Sequence, residues 1–340
     1  MYRRIKDIYG HMGDETSRQI FADRLLFSLT GDRCYMTKIV RGTALYQKIH
    51  GLVESDVRRK YIASAGQWGK IIAELFGKSE FAGIIDNHAA GSYENIPILP
   101  LDAFLEQVSD GTVYIGSTRY HAEFCQMLKN AGVGEDRIVD VAGMMLDVFH
   151  RQQYFDLPFL EQNRKEQEIF VDGGCYDGEN SRMFAVWAGD VPRTIYAFEP
   201  DETNFHNCRT VLDSLEGVSC HLVRKGLWSS DTVLEFHADA NEGSRFADGG
   251  KVQIPVTRLD AAIEGNVTFI KLDVEGAEYE ALKGAEKLIQ NCRPTLAVSV
   301  YHKAQDIWEL PELILSMAPE YTFYLRHYSL SSEETVLYAV

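Results

Sequence analysis

The chain has 340 residues, with 34 Lys+Arg against 50 Asp+Glu, for a formal net charge of −16 at pH 7. Hydrophobic residues make up 45% and charged residues 25%, ordinary globular values that exclude disorder as the main state. The length suits two domains, and the acidic balance argues against nucleic acid or an anionic membrane as partner, because phosphate binding needs a positive field. A small molecule or a protein is the expected partner, and self-association into a homo-oligomer stays open.

None of the six cysteines lies in a C-x-x-C pair and no histidine falls at finger spacing, so a structural zinc site is not expected. Scattered thiols are read as the reduced residues of a cytoplasmic protein. No apolar run follows Met1-Tyr2-Arg3-Arg4. No stretch approaches the roughly 18 apolar residues of a membrane span, so membrane insertion is not expected.

Residues 1–58 are expected to be a helical segment, since Ile20, Leu25, Leu26 and Leu29 recur near helical spacing and Asp14 to Ser17 offers N-cap chemistry. A strand at Tyr61–Ala63, a turn at Ser64–Gly69 and a helix at Lys70–Phe76 open a βα series. It continues as a strand at Phe81–Ile85, a helix at Asp102–Gln107, a strand at Thr112–Ile115 and a helix at His121–Asn130. Alternation of this kind indicates parallel βαβ units, so residues 59–143 are read as a small Rossmann-like domain. Residues 144–165 read as a connector.

Residues 166–340 carry a second series. Strands are expected at Ile169–Asp172, Ile195–Glu199, Val218–Val223, Val267–Asp273 and Thr295–Tyr301. Helices fill Asn180–Ala188, Glu202–Leu215, Ala277–Ile289 and Asp306–Ser316. An antiparallel pair is inserted at Val233–His237 and Val252–Thr257, around a polar loop at Ala238–Gly250 that either closes over a substrate or is a plain hairpin loop. The β-rich runs Tyr321–Tyr328 and Thr335–Val340 make a terminal hairpin, so the parallel sheet ends with an antiparallel strand. Within it, Arg326-His327 is read as a structural salt bridge in preference to a pocket wall.

Residues 169–178, Ile-Phe-Val-Asp-Gly-Gly-Cys-Tyr-Asp-Gly, are a strand feeding a glycine-rich turn. Such a turn lets backbone approach a ligand, and the helix that follows supplies free N–H groups. The spacing Asp-Gly-Gly-x-x-x-Gly is not the dinucleotide pattern. Asp172 at the strand end would repel a pyrophosphate and attract the ammonium and sulfonium of S-adenosylmethionine. Glu199 ends the next strand, 21 residues beyond Gly178, where a carboxylate can accept from both ribose hydroxyls.

Three blocks in order carry a resemblance: residues 171–181 (VDGGCYDGENS), 197–200 (AFEP) and 269–278 (FIKLDVEGAE). They resemble the FkbM family of S-adenosylmethionine-dependent methyltransferases, over residues 166–340. The resemblance implies a class I methyltransferase fold and methylation of a hydroxyl on a small molecule, such as a sugar or other metabolite. It also implies that Asp172, Gly173, Gly174, Tyr176 and Asp177 face the methionine moiety, Glu199 holds the ribose, and Gly226-Leu227-Trp228 lie near adenine. Trp228 reads equally well as a core residue at the rim.

Methyl transfer to a hydroxyl needs in-line alignment and usually a base. Asp273, Glu275 and His302 sit at carboxyl ends of expected parallel strands, where open α/β sheets bind ligands. Asp273 is assigned to the cofactor side, and His302 and Glu275 are the candidate catalytic residues, although Glu275 could merely cap a helix and His302 could be a satisfied strand-end residue. Two carboxylates without a third ligand make a poor metal site, so no metal is expected. The Asn/Asp-Pro-Pro-aromatic block that cradles a planar nitrogen in amino methyltransferases is missing after this strand.

In the first domain, Ser64, Gly66 and Gly69 form a turn resembling a dinucleotide loop whose first glycine is replaced. Asp86 closes the next strand 17 residues after Gly69. A second nucleotide site and a ligand-free scaffold both remain open there. The alternative function is therefore a nucleotide-dependent sugar-modifying or redox enzyme working from this first loop.

Overall fold

The computed structural model describes residues 2–107, 110–155, 157–236 and 252–340. Helices α1 (Tyr2–Gly10), α2 (Glu15–Thr30), α3 (Arg33–Arg41) and α4 (Ala44–Ser55) lead the chain. The expected cap is present: the Asp14 side chain accepts from Ser17 N at the start of α2. The chain forms two compact units, one of residues 37–149 with 328–331, the other of residues 1–36, 150–327 and 332–340.

The first unit holds a six-stranded sheet of β1 (Lys60–Ala63), β2 (Phe81–Ile85), β3 (Gly91–Tyr93), β4 (Ile96–Leu99), β5 (Thr112–Ile115) and β6 (Ile138–Val139), in the order β3-β4-β2-β1-β5-β6. All its neighbours pair in parallel except the β3–β4 hairpin. That hairpin escaped the sequence analysis. Its turn, Glu94-Asn95, places two consecutive residues at positive φ, the geometry that favours Asn-Gly, and here the signal was only half present. Helices α5 (Gln67–Phe76), α6 (Leu101–Gln107) and α7 (His121–Asn130) serve this sheet, and Tyr61, Ile85, Phe104, Val113 and Leu128 form its core.

The expected connector is not an open linker. Helices α8 (Val141–Arg151) and α9 (Pro158–Gln162) occupy most of it, and Tyr154 and Phe155 between them are buried. Phe155 joins Phe170, Phe184, Trp187 and Phe269 in an aromatic core under the second sheet. The leader likewise divides. Residues 1–36 belong with the second sheet, for Ser17 Oγ accepts from Leu325 N and Arg326 pairs with Asp14 at 2.6 Å. These contacts cover an edge strand that would otherwise be open to pairing.

The second unit contains β7 (Glu168–Gly173), α10 (Glu179–Ala188), β8 (Arg193–Phe198), α11 (Glu202–Asp213), β9 (Ser219–Val223), β10 (Gly226–Leu227), β11 (Thr232–Phe236), β12 (Val252–Thr257), α12 (Leu259–Ala262), β13 (Phe269–Leu272), α13 (Glu278–Lys283), α14 (Glu286–Cys292), β14 (Thr295–Ser299), α15 (Asp306–Met317), β15 (Phe323–His327) and β16 (Thr335–Ala339). Seven strands run in the order β15-β16-β14-β13-β7-β8-β9. β16 is antiparallel to both its neighbours and inserts between β14 and β15, so the start of β16 lies at the carboxyl edge of the parallel strands. The expected inserted pair is β11–β12, joined by β10 into a separate small sheet. The loop Ala238–Gly250 lies outside the described residues. The single helix expected over Ala277–Ile289 is two, broken at Gly284, where a Cβ would stand 2.1 Å from the Trp228 carbonyl oxygen. Close backbone approach, which periodicity cannot reveal, set that break. Among the described residues no helix is long and apolar enough to cross a membrane.

Candidate functional site

The glycine turn leaves β7 at Gly173 and enters α10 at Glu179. Gly174 has φ +73°, and a Cβ there would lie 1.9 Å from the Asp273 carbonyl oxygen, so only glycine lets the turn rest on the end of β13. A Cβ on Gly173 would meet Leu227 and Leu272 side chains at 2.8 Å. Gly173, Gly174, Leu227 and Asp273, named separately from the sequence, are thus brought together. Gly226 and Leu227 are buried in β10, and Trp228 is half-buried. Tyr176, at φ +49° and 36% exposed, offers its ring at the surface of the turn. Asp177 accepts from Glu179 N and opens α10.

Asp172, expected at the methionine moiety, is buried beneath the turn. It is 0% exposed, and its carboxylate meets Lys271 Nζ at 3.1 Å and Ser181 Oγ at 2.7 Å. Lys271 is 1% exposed and sits directly opposite Asp172 in the β7–β13 register. Its ammonium also donates to the Gly174 carbonyl at 2.6 Å and to that of Gly173 at 3.2 Å. Burial works against its charge, yet Asp172 and Asp273 hold its pKa above the usual lysine value. The pair fixes the turn from beneath. Lys271 had a sequence signal: it is the lone charge in the apolar strand Phe269-Ile270-Lys271-Leu272.

Glu199 lies just beyond β8 and is 5% exposed. Its Oε2 accepts from Tyr176 N at 3.0 Å and its Oε1 from Asp201 N at 2.9 Å, which ties the strand end to the glycine turn. Burial pushes its pKa up to about 7, against the lowering pull of those two N–H groups. Each oxygen keeps a lone pair for a further donor.

Beyond Asp273 lies a cluster of acids and tyrosines. Tyr154 OH donates to Asp273 Oδ2 at 3.0 Å, and Tyr301 OH lies 3.4 Å from Asp273 Oδ1 and 3.2 Å from Glu334 Oε1. Glu334, at the start of β16, also accepts from Gln153 Nε2 at 2.5 Å; burial and Asp273 push its pKa up to about 8. His302 follows β14 with Nε2 3.5 Å from Asp273 Oδ1 and 3.6 Å from Glu275 Oε2, while Nδ1 is 2.9 Å from Glu278 Oε1. The last contact is an ion-pair approach without hydrogen-bond alignment. Burial opposes a charge on the ring, but Glu278, Asp273 and Glu275 outweigh it and hold His302 up to about 9. Near neutrality the imidazole is therefore a cation among carboxylates, which weakens its expected part as a lone base. Sequence analysis assigned no role to Tyr154, Glu278, Tyr301 or Glu334. Two of them come from a connector and a hairpin remote in sequence, and only the β16 insertion delivers Glu334.

The first unit's turn is built differently. Ser64 takes φ +86°, and a Cβ on Gly69 would sit 2.0 Å from its carbonyl oxygen. Gly66 caps α5 without a side-chain bond. Asp86 accepts from Ala65 N at 2.8 Å, His88 N at 2.8 Å and Ala89 N at 3.1 Å. These donors outweigh its burial and lower its pKa.

Comparisons with known proteins bear on the second unit. Residues 172–325 match the methyltransferase FkbM domain. Among curated proteins, none matches the sequence. Of solved structures, the FkbM methyltransferase of Methylobacillus flagellatus KT is similar at 20% identity and a TM-score of 0.51, over 96% of this chain and 99% of that one. At that identity the likeness shows the fold. An rRNA methylase from Streptococcus thermophilus is 16% identical over 53% of this chain and 90% of its own, with a TM-score of 0.36. Fibrillarin from Aeropyrum pernix, solved with S-adenosyl-L-methionine, is 12% identical over 52% of this chain and 68% of its own, with a TM-score of 0.33. Sheet order, glycine turn and domain match agree: over residues 172–325 this chain is similar to the methyltransferase FkbM domain.

Proposed function

We propose that the chain is an S-adenosylmethionine-dependent methyltransferase that methylates a hydroxyl oxygen of a small acceptor, a sugar or nucleotide-sugar by first choice. The observation that carries this reading is the double use of Asp273. Its backbone carbonyl packs on Gly174 of the glycine turn, while its carboxylate belongs to the cluster of Tyr154, Tyr301, Glu275 and His302. Cofactor loop and proton-handling groups thus share one residue.

The donor set fits the cofactor. The turn from Asp172 to Gly178 contains no cationic side chain, and the charge of Lys271 beneath it is committed to Asp172, so nothing there favours a pyrophosphate. Glu199 would hold the ribose through its remaining lone pairs, with Gly173, Gly174, Tyr176 and Asp177 around the methionine portion and Gly226, Leu227 and Trp228 beside the adenine. Asp172 acts through Lys271 as a positioning residue. When bound, S-adenosylmethionine supplies an electrophilic methyl group on sulfonium. The acceptor hydroxyl loses its proton to the carboxylates around His302, Asp273 and Glu275, and His302 orients them. A cluster rich in carboxylates and a net charge of −16 favour a small acceptor over a polyphosphate chain such as RNA.

Calorimetric titration with S-adenosylhomocysteine tests the cofactor assignment. One site per chain is expected, and a well-folded sample that shows neither heat nor thermal shift would sink it. For the chemistry, His302→Ala and Glu275→Gln are each expected to lower kcat by ~10²-fold with S-adenosylhomocysteine affinity retained. Unchanged turnover in both would remove these residues from the reaction.

A further inference from the structure

The sequence rejected a metal because two carboxylates lacked a third ligand, and the fold supplies that ligand. The turn 274–276, with Glu275 at φ +54° and Gly276 at φ +91°, brings Glu278 back beside Asp273, and β14 delivers His302 from the neighbouring strand. One ligand atom from each of Asp273, Glu278 and His302 lies within 4.8 Å of the other two. Glu275 reaches the same face of the ring, 3.6 Å from Nε2.

Two further observations suit a cation-binding site. Glu278 is 1% exposed on its side chain, and its Oε2 is enclosed without any hydrogen-bond partner. A buried carboxylate oxygen left without a donor carries a desolvation cost that something ordinarily offsets. The separations tell the same story. Nε2 is too far from Asp273 and Glu275 for good hydrogen bonds. It stands at roughly the 3 to 4 Å spacing of two atoms that share one metal at about 2.1 Å.

We propose that Asp273, Glu278 and His302 form a binding site for one divalent transition-type cation, with Glu275 at its rim. One imidazole with carboxylate oxygens suits Mn²⁺ or Zn²⁺ better than Mg²⁺ or Ca²⁺, which take all-oxygen shells. The existence of the site is independent of methyl transfer. Only a role for the cation in holding the acceptor hydroxyl rests on the function proposed above.

The test uses the full chain after chelator treatment, titrated separately with MnCl₂, ZnCl₂ and MgCl₂. One equivalent of Mn²⁺ or Zn²⁺ is expected to bind, with Mg²⁺ at least tenfold weaker. His302→Gln and Asp273→Asn should each weaken Mn²⁺ by at least tenfold while circular dichroism stays unchanged. Pulsed paramagnetic resonance of the wild-type Mn²⁺ form should show coupling to a single imidazole nitrogen, a readout that does not depend on any variant folding. No binding up to millimolar metal, binding untouched in a folded His302→Gln, or a bound Mn²⁺ without nitrogen coupling would each overturn the site. A parallel S-adenosylhomocysteine titration separates the two ideas, since loss of metal binding with cofactor binding retained rejects the metal alone.

Discussion

The two units repeat one local shape with different content. In each, a parallel strand enters a glycine turn, a helix follows, and the carboxylate at the end of the next strand reaches back to the turn: Asp86 to Ala65 N at 2.8 Å, Glu199 to Tyr176 N at 3.0 Å. Beneath the second turn lies a buried ion pair, Asp172 with Lys271, whereas the first strand ends in apolar Ile62-Ala63. At the end of the next strand over, the second unit presents Asp273 and its cluster, while the first presents Gly116-Ser117. The backbone motif is therefore a scaffold, and the chemistry is written in the side chains placed around it.

That comparison can be broken most forcefully at the buried charges. Asp172→Ala leaves Lys271 uncompensated and Lys271→Met leaves Asp172 so; each is expected to cost ~3–5 kcal/mol in urea unfolding. In the first unit Lys60, at the start of β1, pairs with a half-exposed Glu80 at 3.4 Å, and Lys60→Met is expected to cost under about 1 kcal/mol. Equal costs would mean that the second turn is no more dependent on buried charge than the first.

Backbone geometry gives the next contrast. Gly174→Ala combines φ +73° with a Cβ 1.9 Å from the Asp273 carbonyl oxygen, and a loss of at least ~2 kcal/mol is expected, with cofactor affinity falling too. Gly66→Ala in the first unit meets only the end of Ser64 at 3.1 Å and should change thermal stability little. Similar melting temperatures for the two variants would refute the close approach of turn and strand.

Much of this was readable beforehand, for identifiable reasons. Apolar runs located β1, β2 and β5 of the first sheet and all seven strands of the second, and the order of three short blocks placed the glycine turn, Glu199 and Asp273. What escaped was set by tertiary contact. Asp172 reads as a ligand carboxylate until register puts Lys271 opposite it. Glu334 reads as a loop residue until β16 inserts between β14 and β15. Tyr154 lies in what looks like a linker, yet its hydroxyl meets Asp273. The helix break at Gly284 depends on the carbonyl of Trp228, just past β10 and more than fifty residues earlier. Local pattern carries none of these, because each is decided by which distant strand becomes a neighbour.

The two strand-end carboxylates provide the third contrast. Glu199→Ala should reduce S-adenosylhomocysteine affinity by at least tenfold, while Asp86→Ala should leave it unchanged. Loss in both would place a nucleotide-dependent step in the first unit as well.

The smallest expected effect is the pH dependence of that binding. Burial raises Glu199 to about 7, so its carboxyl is largely protonated at pH 6 and ionised at pH 8. Because the folded state holds this proton more tightly than the unfolded chain, Glu199 lowers stability as pH rises from the ordinary glutamate range to about 7. Cofactor affinity should move the other way. Ribose hydroxyls donate better to a carboxylate than to a carboxylic acid, so S-adenosylhomocysteine should bind several-fold more tightly at pH 8 than at pH 6. In Asp86 the shift is downward, so the stability it contributes is lost only as pH falls through the acid range, and it adds no slope between pH 6 and 8. Glu334 and Asp306 also sit near neutrality, at about 8 and about 7, so the informative quantity is the difference between wild type and Glu199→Gln. If the variant keeps the full pH dependence of affinity, the ionising group lies elsewhere and Glu199 is not the ribose carboxylate.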